Sequence, residues 1–308
     1  MDHPVNVTRY GFGAAPIGNL YSALTEEEAA EAITAAWDAG IHYFDTAPHY
    51  GLGLSERRLG EALRDRPRDE YVISTKVGRR LEPASGGGRD TDGFDVPADW
   101  RRVWDFSRDG VLRTLEDSLV RLGLDSVDIV LLHDPDHHWK EAVSGAYPAL
   151  AELRDQGVIK AIGVGMNQWP MLSDFVHETD IDVVLLAGRY TLLDQSGRSL
   201  LDLCLARGVG VFLGGVFNSG VLARHSVGDT YNYGPAPADL VARARAMAEV
   251  CERHGVTLPQ AAMAFPFRHP GVVSAILGMR TAEEVRENMS LAGRPIPEEL
   301  WADLETLE

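Results

Sequence analysis

Short apolar runs rich in Val and Ile alternate with longer amphipathic segments along the chain. The runs have the length and composition of buried β-strands, and the segments between them have the spacing of surface helices. Eight such strand–helix units in 308 residues predict an α/β fold, a (β/α)8 TIM barrel that forms one domain over residues 1–308. The predicted strands are Tyr10–Gly13, His42–Phe44, Tyr71–Thr75, Val127–Leu132, Ile159–Val164, Val183–Leu186, Val209–Leu213 and Val273–Ile276.

The helix signals follow the strands in order. The clearest predicted helix is Thr25–Ala39, because Thr25 and Glu28 have the spacing of a capping box and Gly40 marks the end. A doubly wound sheet is the rival fold, but the GxGxxG phosphate motif expected after its first strand is missing. The other predicted helices are Ser55–Arg64, Ser107–Leu122, Ala142–Gln156, Met171–Glu178, Ser199–Arg207, Ala238–His254 and Thr281–Ala292.

The composition excludes several classes of function. A total of 29 Lys and Arg against 46 Asp and Glu gives a net charge of −17, which repels nucleic acid and anionic membrane surfaces. Cys204 and Cys251 are too few for a disulfide framework or a cysteine-based metal site, and they fit a reducing cytoplasm. The sequence has no apolar stretch of membrane-spanning length and no signal-peptide pattern. We expect a soluble cytoplasmic protein without a metal site and without nucleic-acid or membrane partners.

Two connections, Gly78–Phe106 and Asn218–Pro237, are too long to be simple turns. Loops of this length in a compact domain are usually functional or mobile. Both follow predicted strands, so both are expected to emerge at the carboxyl face, where a barrel carries its active site.

Four polar residues lie at or just beyond the ends of predicted strands: Asp45, Tyr50, Lys76 and His133. A phenol has a pKa of about 10, and a buried ammonium beside it lowers that value by stabilising the phenolate. Asp45 would be the counter-ion of Lys76, and His133 would orient the reacting oxygen. The group can move a proton but contains no nucleophile and no electron sink. It therefore predicts hydride transfer by a nicotinamide cofactor.

The segments that carry these residues resemble the aldo-keto reductase family. They read GIHYFDTAPHYGLGLSERRLGEAL, VISTKVG, DSVDIVLLHDP and LRDQGVIKAIGVG. The resemblance implies a (β/α)8 barrel, an NAD(P) cofactor and a catalytic tetrad at Asp45, Tyr50, Lys76 and His133.

Further segments, AAPIGNLY, HDPDHHW, GVGMNQ, AGRYTLLDQ and GGVFNSGVLA, are similar to the branch of this family that oxidises aldoses or pyridoxal. This implies oxidation of an aldose resembling L-fucose, D-arabinose or L-galactose at C1 to its lactone, with Tyr50 as the acid/base. Two alternatives stay open: oxidation of pyridoxal or another aromatic aldehyde, and a non-catalytic nucleotide-binding regulator. The expected substrate contacts are Tyr21, His49, Asp134 and Trp104.

The resemblance also implies where the cofactor binds. Glycines in GGVFNSG let backbone N–H groups approach a pyrophosphate closely, and the helix start in GMRTAEEVRENM favours a phosphate. Gly214 stands where the family usually stacks an aromatic ring on the nicotinamide. The expected cofactor contacts are Asn167, Gly214, Gly215, Val216, Phe217, Asn218, Gly220, Gly278, Met279, Arg280, Thr281, Glu284, Glu287 and Asn288.

Glu284 decides the expected choice of dinucleotide. Its carboxylate would repel the 2′-phosphate of NADP and accept a hydrogen bond from the 2′-hydroxyl of NAD. Arg280 and Arg286 could favour a phosphate instead, although Arg280 has the spacing to pair with Glu284 on one helix face. We expect NAD to be preferred over NADP.

Overall fold

Eight parallel strands close into a barrel in a computed structural model of the chain, which describes residues 4–224, 227–228, 230–231 and 234–307. The eight barrel strands neighbour one another in chain order. This confirms the predicted fold class. The strands are β1 (Tyr10–Gly13), β2 (Tyr43–Asp45), β3 (Val72–Val77), β4 (Arg79–Pro83), β5 (Trp100–Trp104), β6 (Ile129–His133), β7 (Ala161–Met166), β8 (Val183–Ala187), β9 (Gly210–Gly214), β10 (Thr230–Tyr231), β11 (Gly234–Pro235) and β12 (Val272–Gly278).

Helices cover the outside of the barrel. Helix α1 begins with the predicted capping box, since the Thr25 hydroxyl accepts from the Glu28 N–H and the Glu28 carboxylate accepts from the Thr25 N–H. The helices are α1 (Glu26–Asp38), α2 (Leu54–Leu63), α3 (Arg108–Leu122), α4 (Trp139–Glu141), α5 (Tyr147–Asp155), α6 (Trp169–Glu178), α7 (Arg198–Arg207), α8 (Ala238–Arg253), α9 (Leu258–Ala264), α10 (Ala282–Leu291) and α11 (Glu298–Glu305).

Three helical features differ from the sequence prediction. The segment predicted as one helix, Ala142–Gln156, begins earlier as α4 and passes through a π-helical turn at Ala142–Ala146 before α5. Helices α9 and α11 were not predicted. Both are short, and each is introduced by a proline that the sequence alone presents as part of a loop.

Large side chains fill the barrel interior beneath the carboxyl face. Tyr43, Ile129, Leu131, Val183 and Phe212 are buried there together. The Tyr43 and Phe212 rings pack with centroids 5.2 Å apart. The polar residues at the strand ends therefore rest on a packed floor that holds their backbones still.

The two long connections, predicted to be more than simple turns, contain regular structure that the sequence pattern did not indicate. Strands β4 and β5 form an antiparallel hairpin within Gly78–Phe106, with Arg79 opposite Trp104. The Gly-rich segment between the two strands hid this pairing from the sequence pattern. Asn218–Pro237 contains a 3₁₀ turn at Asn218–Gly220 and the ribbon β10–β11, and its residues 225–226, 229 and 232–233 lie outside the described residues.

The described ranges contain no helix long and apolar enough to cross a membrane. In the same ranges no group of three His, Cys, Asp or Glu side chains is arranged to hold a metal ion. Cys204 and Cys251 are both buried free thiols.

Candidate active site

The barrel register places Asp45, Lys76 and His133 at the carboxyl ends of the neighbouring strands β2, β3 and β6. Tyr50 follows β2 in a tight turn. The Lys76 ammonium donates to Asp45 Oδ2 at 2.7 Å, to the Thr46 carbonyl at 3.0 Å and to Tyr50 Oη at 3.0 Å. Only 2 % of the Lys76 side chain is exposed. The structure thus joins three of the four predicted residues by direct hydrogen bonds.

Burial and the neighbouring charges shift the pKa values of Lys76 and Tyr50 in opposite directions. Burial lowers the pKa of the Lys76 ammonium, but the Asp45 carboxylate and the Tyr50 phenol raise it more, so it stays charged. Burial raises the pKa of the Tyr50 phenol above its ordinary value, and the Lys76 ammonium offsets only part of that rise. The expected net lowering of the Tyr50 pKa is therefore wrong, because the sequence does not reveal how deeply the phenol is buried.

His133 completes the group as a neutral imidazole. Its ring lies edge-on to the Tyr50 ring at a centroid distance of 5.9 Å and to the His49 ring at 5.5 Å. Burial holds the pKa of His133 well below its ordinary value, and the nearby Arg79 and Lys76 cations lower it further. The pKa of His49 falls to about 2, first through burial and then through the Arg79 and Arg102 cations. A neutral imidazole can donate one hydrogen bond to an oxygen of a substrate.

The hairpin region packs directly on the Tyr50 turn. The Phe94 ring lies 6.1 Å from the Tyr50 ring at an interplanar angle of 29°, and edge-on to His49 at 5.3 Å. Arg102 on β5 donates to the His49 carbonyl at 2.8 Å and pairs with the buried Asp90 carboxylate. The sequence prediction missed Phe94 and Asp90, and it did not name Arg102 as a site residue. The alternation WRRVW, which places Arg102 on one strand face with two tryptophans, was the available signal.

The predicted substrate residues divide between two places. Asp134 follows β6 directly, and its carboxylate pairs with Arg79, whose guanidinium lies 4.5 Å from the centre of the Trp104 ring. His49 lies beside both Tyr50 and His133. Tyr21 lies on the connection between β1 and α1, where its N–H donates to the Gly93 carbonyl at 2.8 Å, its hydroxyl contacts Ser219 and 58 % of its surface is exposed.

The predicted cofactor segments lie at the ends of neighbouring strands. Gly214 ends β9 opposite Ile276, and Gly278 ends β12 opposite Gly13 of β1. The backbone is right-handed at Phe217, with φ −92° and ψ 6°, and left-handed at Asn218, with φ 47°, an alternation in which successive N–H groups form a cradle for an anion. Asn218 Oδ1 is buried, and no hydrogen-bond partner for it appears among the described residues.

Helix α10 follows β12, the barrel neighbour of the strand β9 that leads into this cradle. The Thr281 hydroxyl caps its first turn by accepting from the Glu284 N–H at 3.2 Å. Together, the orphaned amide oxygen, the cradle and the helix N-terminus fit a dinucleotide. Glu287 and Asn288 lie on the same helix, and Val216, Phe217, Gly215, Gly220 and Met279 lie in the two segments.

One expected contact, the pairing of Arg280 with Glu284, takes a different form. The Arg280 guanidinium does not pair with Glu284 on a helix face, because Arg280 precedes α10 and reaches Ser22 and the Ala23 carbonyl instead. The Arg280 backbone N–H donates to the Glu284 carboxylate at 2.7 Å. Asn167 is half-buried after β7, and its backbone N–H donates to the Asp134 carboxylate.

Comparisons with known proteins agree with this architecture. The model of the aldo/keto reductase family matches residues 9–308. A D-threo-aldose 1-dehydrogenase of Pseudomonas sp is 45 % identical, over 96 % of this chain and 92 % of its own length. A pyridoxal 4-dehydrogenase of Microbacterium luteolum is 40 % identical, over 97 % and 94 %, and an L-galactose dehydrogenase of Arabidopsis thaliana is 30 % identical, over 98 % and 89 %.

The fold has a close counterpart among solved structures. An aldo-keto reductase from Bacillus halodurans superimposes with a TM-score of 0.81 at 23 % identity, covering 100 % of this chain and 95 % of that chain. The chain belongs to the aldo-keto reductase family and is an NAD(P)-dependent oxidoreductase.

Proposed function

We propose that the enzyme oxidises an aldose at C1 to its lactone, with L-fucose, D-arabinose and L-galactose as representative substrates. The observation that carries the proposal is the buried Asp45–Lys76–Tyr50 group beside a neutral His133. The similarity to a D-threo-aldose 1-dehydrogenase and to an L-galactose dehydrogenase supports an aldose as the substrate. The two buried free thiols, in a chain without a disulfide among its described residues, support a reducing compartment such as the cytoplasm.

In the proposed mechanism the Tyr50 phenolate accepts the proton of the C1 hydroxyl during oxidation, and the Tyr50 phenol returns it in the reverse reaction. His133 donates a hydrogen bond to the same oxygen and fixes its position. Lys76 stabilises the phenolate that forms when Tyr50 gives up its proton, and Asp45 keeps Lys76 charged. When bound, the nicotinamide ring supplies the hydride acceptor.

The high pKa of Tyr50 gives the reaction a pH dependence. Burial keeps the phenol protonated at neutral pH, which suits donation of a proton during reduction of a carbonyl. Oxidation needs the phenolate, so we expect the rate of aldose oxidation to rise as the pH increases toward the pKa of Tyr50.

We propose NAD as the preferred cofactor. Glu284 places a carboxylate at the start of α10, where the 2′-phosphate of NADP would meet it at a Coulombic cost. The Arg280 guanidinium already donates to the Ser22 hydroxyl and the Ala23 carbonyl, which leaves fewer of its N–H donors for a phosphate. The glycine segment Gly214–Gly220, together with Gly278–Asn288, would hold the dinucleotide, and Asn167 would hold the carboxamide.

A substrate screen tests the proposal. L-Fucose, D-arabinose, L-galactose and pyridoxal are each supplied with NAD and with NADP, and the fluorescence of the reduced cofactor is followed. We expect turnover of at least one aldose, a lactone product and a higher kcat/KM with NAD. Turnover of pyridoxal alone would indicate the second candidate, which the 40 % identical pyridoxal 4-dehydrogenase favours. Tight cofactor binding without any turnover would indicate a regulator.

A further inference from the structure

An ion pair at the rim of the site offers hydrogen-bond donors and acceptors that the proposed chemistry does not use. Asp134 and Arg79 pair between the end of β6 and the start of the hairpin, with 19 % and 15 % of their side chains exposed. The Asp134 carboxylate also accepts from the Asn167 backbone N–H. The pair is thus held by two barrel strands and the hairpin, yet it is open enough to meet a ligand.

The distance between the Asp134 carboxylate and the His133 ring indicates which oxygen of a substrate the ion pair can reach. Asp134 Oδ2 lies 3.8 Å from His133 Nε2, which is too far for a direct hydrogen bond. An oxygen at C1 that accepts from His133 carries its neighbouring hydroxyl toward the carboxylate, because vicinal hydroxyls of a sugar lie about one hydrogen-bond length apart. The Asp134 carboxylate therefore lies within reach of the C2 hydroxyl of an aldose whose C1 oxygen is bound at His133.

The pair offers both hydrogen-bonding roles that a sugar hydroxyl needs. A carboxylate accepts the hydroxyl proton, and a guanidinium donates to the hydroxyl oxygen. Arg79 Nε has no hydrogen-bond partner within the described part of the chain. The Trp104 ring, 46 % exposed, lies against the Arg79 guanidinium and limits its movement.

The backbone conformation of Asp134 supports a role for its side chain in binding a ligand. Its φ of 44° lies in the left-handed region, which a residue other than glycine occupies at a cost. The Asp134 N–H donates to the Gly165 carbonyl of β7 at 3.0 Å and so fixes this conformation. The strain turns the side chain to where it meets Arg79 and approaches His133.

We infer that Asp134 and Arg79 recognise the C2 hydroxyl of the substrate and select aldoses that carry it. The inference rests on the proposed function, because it takes the C1 oxygen to bind at Tyr50 and His133. A site built to hydrogen-bond a hydroxyl rejects an analogue that lacks it, since its polar groups are then left unpaired. Discrimination by the wild-type enzyme against a 2-deoxy aldose is expected to be about 10- to 100-fold in kcat/KM.

The test compares D-arabinose with its 2-deoxy form, 2-deoxy-D-ribose, under NAD saturation. The ratio of the two kcat/KM values is measured in the wild type and in Asp134→Asn, a change that the left-handed backbone tolerates. The ratio is expected to fall about tenfold in Asp134→Asn, through slower turnover of D-arabinose, because a charge-assisted hydrogen bond is replaced by a weaker neutral one. Turnover of the 2-deoxy sugar should fall less than turnover of D-arabinose, because the 2-deoxy sugar has no C2 hydroxyl to lose a partner.

Two further variants keep the test decisive. Arg79→Lys keeps the positive charge beside Asp134 but removes the two-pronged donor, so its ratio should also fall. Arg101→Met is the matched control, because Arg101 lies on the same hairpin and pairs with Glu82, away from the site. Its ratio should equal that of the wild type. Circular dichroism and NADH binding verify that each variant folds.

The outcomes separate this inference from the proposed function. Oxidation of D-arabinose and of its 2-deoxy form at equal kcat/KM by the wild type would overturn the role in C2 recognition and leave the aldose dehydrogenase intact. An unchanged ratio in both Asp134→Asn and Arg79→Lys would also overturn it. Absence of any aldose turnover by the wild type would overturn the proposed function itself.

Discussion

The barrel buries an ionic cluster at each end, and the two clusters differ in how completely the polar atoms in and beside them are hydrogen-bonded. At the amino end Asp128 accepts from Arg68 and Lys160, both at 2.7 Å, and from the Ile73 N–H at 2.9 Å. At the carboxyl end Lys76 pairs with Asp45 and Tyr50. Both clusters rest on a side chain that is only 2 % exposed.

The surroundings of the two clusters explain the difference. In the amino-end cluster the buried Asp128 carboxylate is fully paired, and both of its cations reach solvent. The cluster links the starts of three barrel strands. The carboxyl-end cluster has His133 and His49 beside it, and the Nδ1 atom of each is buried with no partner in the described ranges. A buried ion pair alone therefore does not mark a site, whereas a buried ion pair next to unpaired polar atoms and shifted pKa values does.

The largest expected effect comes from breaking the carboxyl-end cluster with Lys76→Met. The change removes the cation that stabilises the Tyr50 phenolate and leaves the Asp45 carboxylate buried without a counter-ion, with the Ser74 hydroxyl as its remaining hydrogen-bond donor. We expect kcat to fall about 100-fold or more and the free energy of unfolding to fall by about 3–5 kcal/mol. Steady-state kinetics and urea unfolding measure the two losses. Activity close to that of the wild type would show that Lys76 does not act on Tyr50.

A smaller effect, on stability alone, is expected from Asp128→Asn at the amino end. The amide keeps an oxygen for the Ile73 N–H but loses both cation pairs, one of them with the exposed Lys160 ammonium. We expect the free energy of unfolding to fall by about 3 kcal/mol, while kcat stays near the wild-type value. A loss of kcat comparable with that of Lys76→Met in fully folded protein would erase the distinction between the two ends.

The sequence predicts the carboxyl-end cluster well because strand order sets its geometry. Asp45, Lys76 and His133 each end a strand, and neighbouring parallel strands bring their ends together whatever the loops do. The same reasoning does not reach Phe94 or Arg102. The alternation WRRVW indicates which strand face carries Arg102, but the contacts of Phe94 and Arg102 with the Tyr50 turn depend on how a long Gly-rich segment folds back.

The direction of a pKa shift and the partner of a charged side chain are also harder to predict than the place of a residue in the fold. The presence of Lys76 beside Tyr50 was predictable, but the net direction of the Tyr50 pKa shift depends on burial, which only the folded chain defines. Arg280 gives a second example. Its spacing from Glu284 fits a helical pair, yet α10 begins only at Ala282, so the side chain is free to contact the β1–α1 connection instead.

The central claim is that Tyr50 exchanges the proton of the substrate oxygen, and the kcat of Tyr50→Phe for aldose oxidation tests it most directly. The change deletes one hydroxyl and keeps the ring that packs on Phe94. The account predicts a fall in kcat of about 100-fold or more, loss of the rise in rate at alkaline pH, and nearly unchanged affinity for NADH. A Tyr50→Phe enzyme that keeps wild-type kcat and the same pH profile would contradict the account.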